Sequence, residues 1–268
     1  MESGFSLAGK WALVTGGSRG IGAATARWLA GQGARVAVHY HRQQEAAQAT
    51  LAQVEAAGSS GLLLQADLSQ PDELSAMVRE FRTASSQLDI LVMAAAATAF
   101  KSVQEIQPHH LARTYNLVVG GLVQLVQEAV PLMGPGGRVV AVSGQGTEFT
   151  LPRYALLGSA KGAVEVFIRY LARELGGLGI TANCVSPGVI DTDSARFYAG
   201  DAYAAFVQTV ALSTAVGRIG TADDVAAAIG YLVSPAAAYV TGQVLVVDGG
   251  LALASPPFMD PPAGRARQ

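Results

Sequence analysis

Seven short apolar runs punctuate the chain and are separated by longer stretches with helical spacing. The runs are "WALVTG" (11–16), "RVAVHY" (35–40), "GLLLQAD" (61–67), "LDILVMAA" (88–95), "GRVVAVS" (137–143), "ITANCVS" (180–186) and "QVLVVDG" (243–249). Their apolar residues are continuous and do not alternate with polar ones. A strand with that pattern is covered on both faces, as in a parallel sheet. The helical stretches lie near 20–32, 43–57, 71–86, 108–133, 153–176 and 222–233. Strand and helix in strict turn predict right-handed βαβ units and an α/β fold, a Rossmann-type doubly wound sheet of seven parallel strands. The sequence shows no internal repeat and no linker, so one domain is expected over 1–254, with a proline-rich tail, "ASPPFMDPPAGRARQ", reading as mobile over 255–268. The segment 191–216 interrupts the alternation. It is long enough for a helical insertion over the strand ends, where ligands bind in such sheets. Its aromatic residues Phe197, Tyr198, Tyr203 and Phe206 suit an apolar lid, although such spacing also serves packing alone.

The first strand runs into "TGGSRGIG" (15–22), which opens a helix. Gly16, Gly20 and Gly22 let the backbone turn tightly and approach a pyrophosphate, which the helix N-terminus favours through its free N–H groups. The strand before, the helix after and a second strand within about 30 residues give this glycine pattern the context of a dinucleotide site. The second strand ends in "HYHRQ", with no acid to accept a free ribose 2′-hydroxyl. Arg42 follows it and Arg19 sits in the glycine turn. Two guanidiniums suit a 2′-phosphate, so NADP(H) is expected over NAD(H). Asp67, after the third strand, either accepts a hydrogen bond from adenine or serves the turn before "SQPDE".

The charge balance narrows the classes further. The chain has 268 residues, 14% of them charged, and a net charge of −2, which offers no bulk attraction for nucleic acid. A single cysteine, Cys184, excludes a disulfide framework and suits a reducing, cytoplasmic setting. The start "MESGFSLAGK" lacks the pattern of a secretion signal, and no run of about 18 apolar residues predicts a membrane span. His109 and His110 have no spaced acidic or cysteine partners, so no metal site is expected.

With the glycine turn, the fourth strand, "NLVVG", "SAKGAVE", "CVSPGVIDTD" and "QVLVVDGG" in order, residues 7–251 resemble the short-chain dehydrogenase/reductase family. The resemblance implies a dinucleotide site built from Gly16, Ser18, Arg19, Gly20, Ile21, Gly22, Tyr40, Arg42, Asp67, Leu68, Ala94, Ala95, Lys161, Pro187, Gly188, Ile190 and Thr192. In "SPGVIDT" (186–192), Pro187 and Gly188 would shape a turn around the nicotinamide, Val189 or Ile190 would bond the carboxamide, and Thr192 a phosphate. Asn116 matches the family's helix-four asparagine, which kinks the helix and holds a water linked to the lysine.

The chain departs from the family at three places. "MAAAA" (Met93 to Ala97) replaces the usual Asn-Asn-Ala-Gly. Alignment on Lys161 puts Leu157 where the usual tyrosine stands, four residues ahead. It puts Gly144 at the usual serine, one place after Ser143, and a one-residue slip on a strand changes the face. Tyr154, however, stands seven residues before Lys161. That Tyr-x6-Lys spacing resembles the enoyl-[acyl-carrier-protein] reductases, and "GVIDTDSARFY" is similar to their NADPH-dependent type III branch. Seven residues are two helical turns, so Tyr154 and Lys161 share a helix face. The resemblance implies reduction of the C=C bond of an α,β-unsaturated acyl thioester or enone, small or carried on a protein. Tyr154 would donate to the developing oxyanion. Lys161 would hold the nicotinamide ribose and lower the tyrosine's pKa, with Asn116 and Ser143 in support. Two alternatives stay open: a carbonyl reductase with a rearranged site in a specialised biosynthetic pathway, and an inactive NADP(H)-binding sensor or scaffold. Helices apolar nearly all round, 108–133 and 153–176, imply burial against another subunit and a homodimer or homotetramer.

Overall fold

The computed structural model describes residues 4–253; the proline-rich stretch 255–268 lies outside them. Seven strands form one parallel sheet: β1 (Trp11–Thr15), β2 (Arg35–Tyr40), β3 (Gly61–Gln65), β4 (Ile90–Met93), β5 (Arg138–Val142), β6 (Thr181–Pro187) and β7 (Val244–Val247). Their spatial order is β3-β2-β1-β4-β5-β6-β7. The order reverses between β1 and β4, and a crevice for ligand opens outside the carboxyl ends of the strands at such a switch.

Each strand contributes to two cores, because successive side chains point to opposite faces. Leu13 joins Leu91, Val139 and Ala182 on one face, under α3 (Pro71–Ala84), α5 (Gly121–Ala129) and α6 (Ala155–Leu175). Ala12 and Val14 join Val36, Val92 and Val140 on the other, under α1 (Gly20–Gly31), α2 (Gln44–Ala56) and α9 (Ala222–Val233). This double coverage accounts for the continuous apolar strand sequences. The strands are shorter than the apolar runs: 88–95 yields only Ile90–Met93, since the residues around it leave the sheet to form loops.

The helix expected over 108–133 is broken. α4 (Pro108–Tyr115) passes into a π-turn (Asn116–Gly120) before α5, and a 3₁₀ turn (Val130–Leu132) follows. A π-turn carries an extra residue and rotates everything before it relative to everything after it. The segment 191–216 supplies α7 (Asp193–Ala199) and α8 (Tyr203–Ser213). Among the described residues, no helix is long and apolar enough to cross a membrane.

His39, near the end of β2, ties the glycine turn to the sheet. Its Nδ1 accepts the Gly16 N–H at 3.1 Å and its Nε2 lies 3.1 Å from the Ala66 carbonyl oxygen. The first partner can only donate and the second can only accept, so the ring is neutral with the proton on Nε2. Burial lowers its pKa to about 4, and the nearby His41 acts in the same direction. A histidine depressed in the folded state is protonated more readily when unfolded, so stability falls as pH drops from about 6.5 toward 4. The expected loss is on the order of 3 kcal/mol across that window. Urea midpoints at pH 7 and pH 5 should therefore differ markedly in the wild type and much less in His39→Gln; equal pH dependence in both would contradict this role for His39.

Candidate active site

The glycine turn fits a dinucleotide. Gly16 adopts φ +64°, and a Cβ there would lie 2.9 Å from the Ala95 Cα. Backbone thus meets backbone at the β1–β4 switch, where Ala94 and Ala95 stand in place of larger side chains. The amide bracing expected from Asn-Asn-Ala-Gly is supplied differently: Thr15 Oγ1 accepts the N–H groups of Ala94 (3.1 Å) and Ala95 (3.2 Å). Thr15 is fully buried. A lone threonine ending an apolar strand carries no sequence signal for this role.

Around this turn the expected residues are only partly free. Arg19 pairs with Asp193 of α7 at 3.2 Å, linking the glycine turn to the inserted helices. Both side chains are exposed, so the pair contributes at most about 1 kcal/mol and yields readily to a phosphate. Arg42 is exposed and makes no ion pair or hydrogen bond among the described residues. Asp67 is occupied in its own turn, where Oδ1 accepts the N–H and hydroxyl of Ser69 at 2.9 and 2.7 Å. Those bonds favour its charged form, and its pKa stays below the usual value despite burial. Tyr40 and Leu68 are buried at the ends of β2 and β3. Ser18 lies in the turn itself, with its carbonyl 3.5 Å from Thr50 Oγ1, and Ile21 in the first turn of α1.

After β6, Gly188 donates to the Val247 carbonyl and Ile190 forms an isolated bridge with Gly220. Val189 accepts from the Gly220 N–H through its carbonyl at 3.1 Å. Thr192 caps α7 and accepts the Ala195 N–H. Together Pro187, Gly188, Ile190 and Thr192 form a turn closed against β7, facing the same sheet edge as the glycine turn.

Lys161 is buried on α6 and donates to the Val142 carbonyl at 2.5 Å. Burial lowers its pKa to about 8, with Cys184 and Glu165 opposing. Beside it lies a small space of about 10 Å³, room for roughly one water molecule. Leu117 and Val118 line that space. Asn116 does not: it is exposed at the start of the π-turn. The kink expected at Asn116 is present as the π-turn, while the Asn116 side chain itself is exposed.

Ser143 is not left open either. Its hydroxyl donates to Glu165 Oε1 at 2.5 Å, and Thr147 Oγ1 donates to the same oxygen at 3.0 Å. Glu165 sits one turn after Lys161, so this buried cluster anchors the β5 loop to α6. Gly144 offers no hydroxyl where the usual serine would be. Gln145 is a further buried residue that its sequence context does not single out. Its Nε2 donates to Asp248 Oδ2 after β7, while its Oε1 is buried without a hydrogen-bond partner.

Tyr154 is the residue before α6. Arg153, at φ +59°, precedes it and cannot continue a helix, which fixes the start of α6. The ring lies in a slot that small residues allow: a Cβ on Gly146 would stand 2.7 Å from a Tyr154 ring carbon. Phe100 stacks on it at 5.7 Å, and Tyr198 of α7 meets it edge-on at 6.0 Å. The phenol makes no hydrogen bond among the described residues. Burial, with Tyr198 adding to it, pushes its pKa up to about 12. The expectation that Lys161 lowers this pKa is not met: burial of the ring dominates. An open cavity of about 440 Å³ adjoins this aromatic group and is lined by Phe100, Phe197, Tyr198, Lys101 and Arg153, among others.

Comparison with known proteins places this geometry. Residues 16–252 match the family model described as enoyl-(acyl carrier protein) reductase. The 1-cyclohexenylcarbonyl-CoA reductase of Streptomyces collinus is 42% identical over 92% of this chain and 88% of its own. A short chain dehydrogenase from Burkholderia cenocepacia, solved in complex with NADP, is 37% identical with a TM-score of 0.85, covering 92% of this chain and 99% of its own. The angucycline C-6 ketoreductase LanV with bound NADP is 32% identical with a TM-score of 0.86, covering 93% and 98%.

Thr15→Val removes the acceptor for two N–H groups in a dry site and should cost about 1–3 kcal/mol. Thr15→Ser should retain most of the stability. Urea denaturation of both variants checks this, and a loss in Thr15→Ser with none in Thr15→Val would show that the methyl group, not the hydroxyl, matters.

Proposed function

The chain is a short-chain dehydrogenase/reductase, and on that footing we propose that it reduces the C=C bond of an α,β-unsaturated acyl thioester with NADPH. The observation that carries this reading is Tyr154, seven residues ahead of Lys161, with its hydroxyl unbonded and its ring stacked on Phe100, which lines an open cavity. Leu157 occupies the nearer position and is buried in the core. Similarity to an enoyl-CoA reductase supports the same conclusion.

Bound NADPH supplies the hydride. Conjugate reduction leaves negative charge on the thioester oxygen, and a donor aimed there lowers the barrier. Tyr154 is that donor. Its raised pKa keeps the phenol protonated throughout the neutral range, so it acts as donor and not as base. Lys161 holds the nicotinamide ribose and carries the positive charge of the site. Gly16, Ser18, Ile21, Gly20 and Gly22 receive the pyrophosphate, and Arg42 and Arg19 take the 2′-phosphate. Phe100 and the residues of α7 exclude water from the acyl group.

A second reading, carbonyl reduction, is favoured by the similarity to a ketoreductase. NADPH oxidation at 340 nm with a crotonyl thioester and a β-ketoacyl thioester separates the two. The proposal expects turnover of the crotonyl substrate, reduced about 100- to 1000-fold in Tyr154→Phe. Turnover of the keto substrate alone, or indifference to Tyr154→Phe, would contradict it.

The chain associates with a second copy through α4, α5 and α6. The support is Val166, Phe167 and Tyr170, which are exposed along the outer side of α6.

Because Lys161 is a cation only below about pH 8, kcat/KM for NADPH should fall above that pH, about tenfold per unit. A flat profile to pH 9.5 would show that the charge on Lys161 is not needed.

A further inference from the structure

The cavity beside Tyr154 has two chemically different parts. Its walls are aromatic: Phe100 lies 5.9 Å from Phe197 and 5.0 Å from Tyr198. Phe100 also stacks on Tyr154, so a group resting on these rings is next to the proposed donor. The remaining lining includes two cations, Lys101 and Arg153. Neither makes a salt bridge or a hydrogen bond among the described residues. The acid that faces them both is Glu105, and its carboxylate is already engaged, accepting the N–H and hydroxyl of Ser102 at 3.0 and 2.9 Å. Two cations and one committed carboxylate leave a net positive charge at an otherwise apolar cavity.

Arg153 is held there at a cost. Among the described residues it is the one non-glycine residue with a left-handed backbone, at φ +59°. That conformation is disfavoured for a residue with a Cβ. Its neighbours fix it: the Leu151 carbonyl accepts the Tyr154 N–H, and the Pro152 carbonyl accepts the Tyr198 hydroxyl at 3.0 Å. The same contacts that seat Tyr154 thus project a guanidinium onto the cavity.

An apolar acyl chain alone gives no use for two unpaired cations. An apolar group joined to a phosphate uses both parts, since apolar walls with a few converging charged groups set orientation and specificity. Resting on the enoyl thioester reading above, we infer that Lys101 and Arg153 form a phosphate-recognition site for a phosphate-bearing acyl thioester. The acyl end lies on Phe100, Phe197 and Tyr198. The phosphate chemistry is shared by coenzyme A and by the phosphopantetheine arm of a carrier protein.

The test compares kcat/KM for crotonyl-pantetheine, crotonyl-4′-phosphopantetheine and crotonyl-CoA, in the wild type and in the double variant Lys101→Gln, Arg153→Gln. The wild type should prefer the phosphorylated substrates over crotonyl-pantetheine by tenfold or more, and the double variant should lose that preference. The charge-retaining double variant Lys101→Arg, Arg153→Lys should keep it. A preference reached in full by phosphopantetheine assigns the site to the arm's own phosphate; one seen with coenzyme A alone assigns it to the nucleotide phosphates. Reduction of all three substrates with the same ratio in wild type and double variant overturns the inference and leaves the enoyl reading intact. An equal drop for all three in the double variant also overturns it, because a merely structural role acts that way. No reduction of any of the three by the wild type overturns the enoyl reading itself, and this inference with it.

Discussion

Burial of both faces of one parallel sheet is the constraint from which the rest of this structure follows. With helices above and below, a polar side chain along the strands is costly unless it is bonded. Chemistry is therefore confined to the carboxyl ends of the strands. There the chain places Thr15, His39, Ser143 and Gln145, and there the glycine turn opens α1. Several of these groups serve the scaffold before they serve a ligand. Thr15 holds the ends of β1 and β4 together, His39 fixes the first turn, and the Ser143–Glu165–Thr147 cluster fastens the β5 loop to α6.

The two residues central to the proposed reaction stand at the cap and in the second turn of one helix but not in one environment. Lys161 is enclosed by sheet and helix, and loss of solvent weakens its hold on a proton. Tyr154 is enclosed by rings, and loss of solvent strengthens its hold. Burial thus moves the two pKa values apart while leaving the lysine charged and the phenol neutral at pH 7. That combination suits a donor to a developing oxyanion beside a fixed positive charge.

The strand–helix alternation was legible because it rests on a repeated local pattern. Each of the seven apolar runs contains a strand, and the helix Ala222–Val233 coincides with the helical stretch read over 222–233. The kink at Asn116 was implied by the family resemblance, but its form, a π-turn over Asn116–Gly120, leaves no mark in the apolar spacing. Ser143 and Gln145 show a similar limit, since the partners that decide their roles, Glu165 and Asp248, are 22 and 103 residues away. The spacing of Tyr154 from Lys161 was readable, whereas the ring contacts that raise the phenol's pKa depend on Phe100 and Tyr198 from distant segments. The cations at the cavity escaped notice for the same reason. Lys101 and Arg153 are unremarkable in sequence and meet only in the fold.

The most direct measurement follows the label rather than the rate. NADPH deuterated at both C4 positions should be incubated with the enzyme and crotonyl thioester, and the product examined by mass spectrometry and NMR. The account predicts a saturated butyryl thioester carrying one deuterium on its β-carbon, formed by the wild type and about 100- to 1000-fold more slowly by Tyr154→Phe. With an acetoacetyl thioester in place of the crotonyl substrate, deuterium on a carbinol carbon, together with unreacted crotonyl thioester, would contradict it and make the protein a carbonyl reductase.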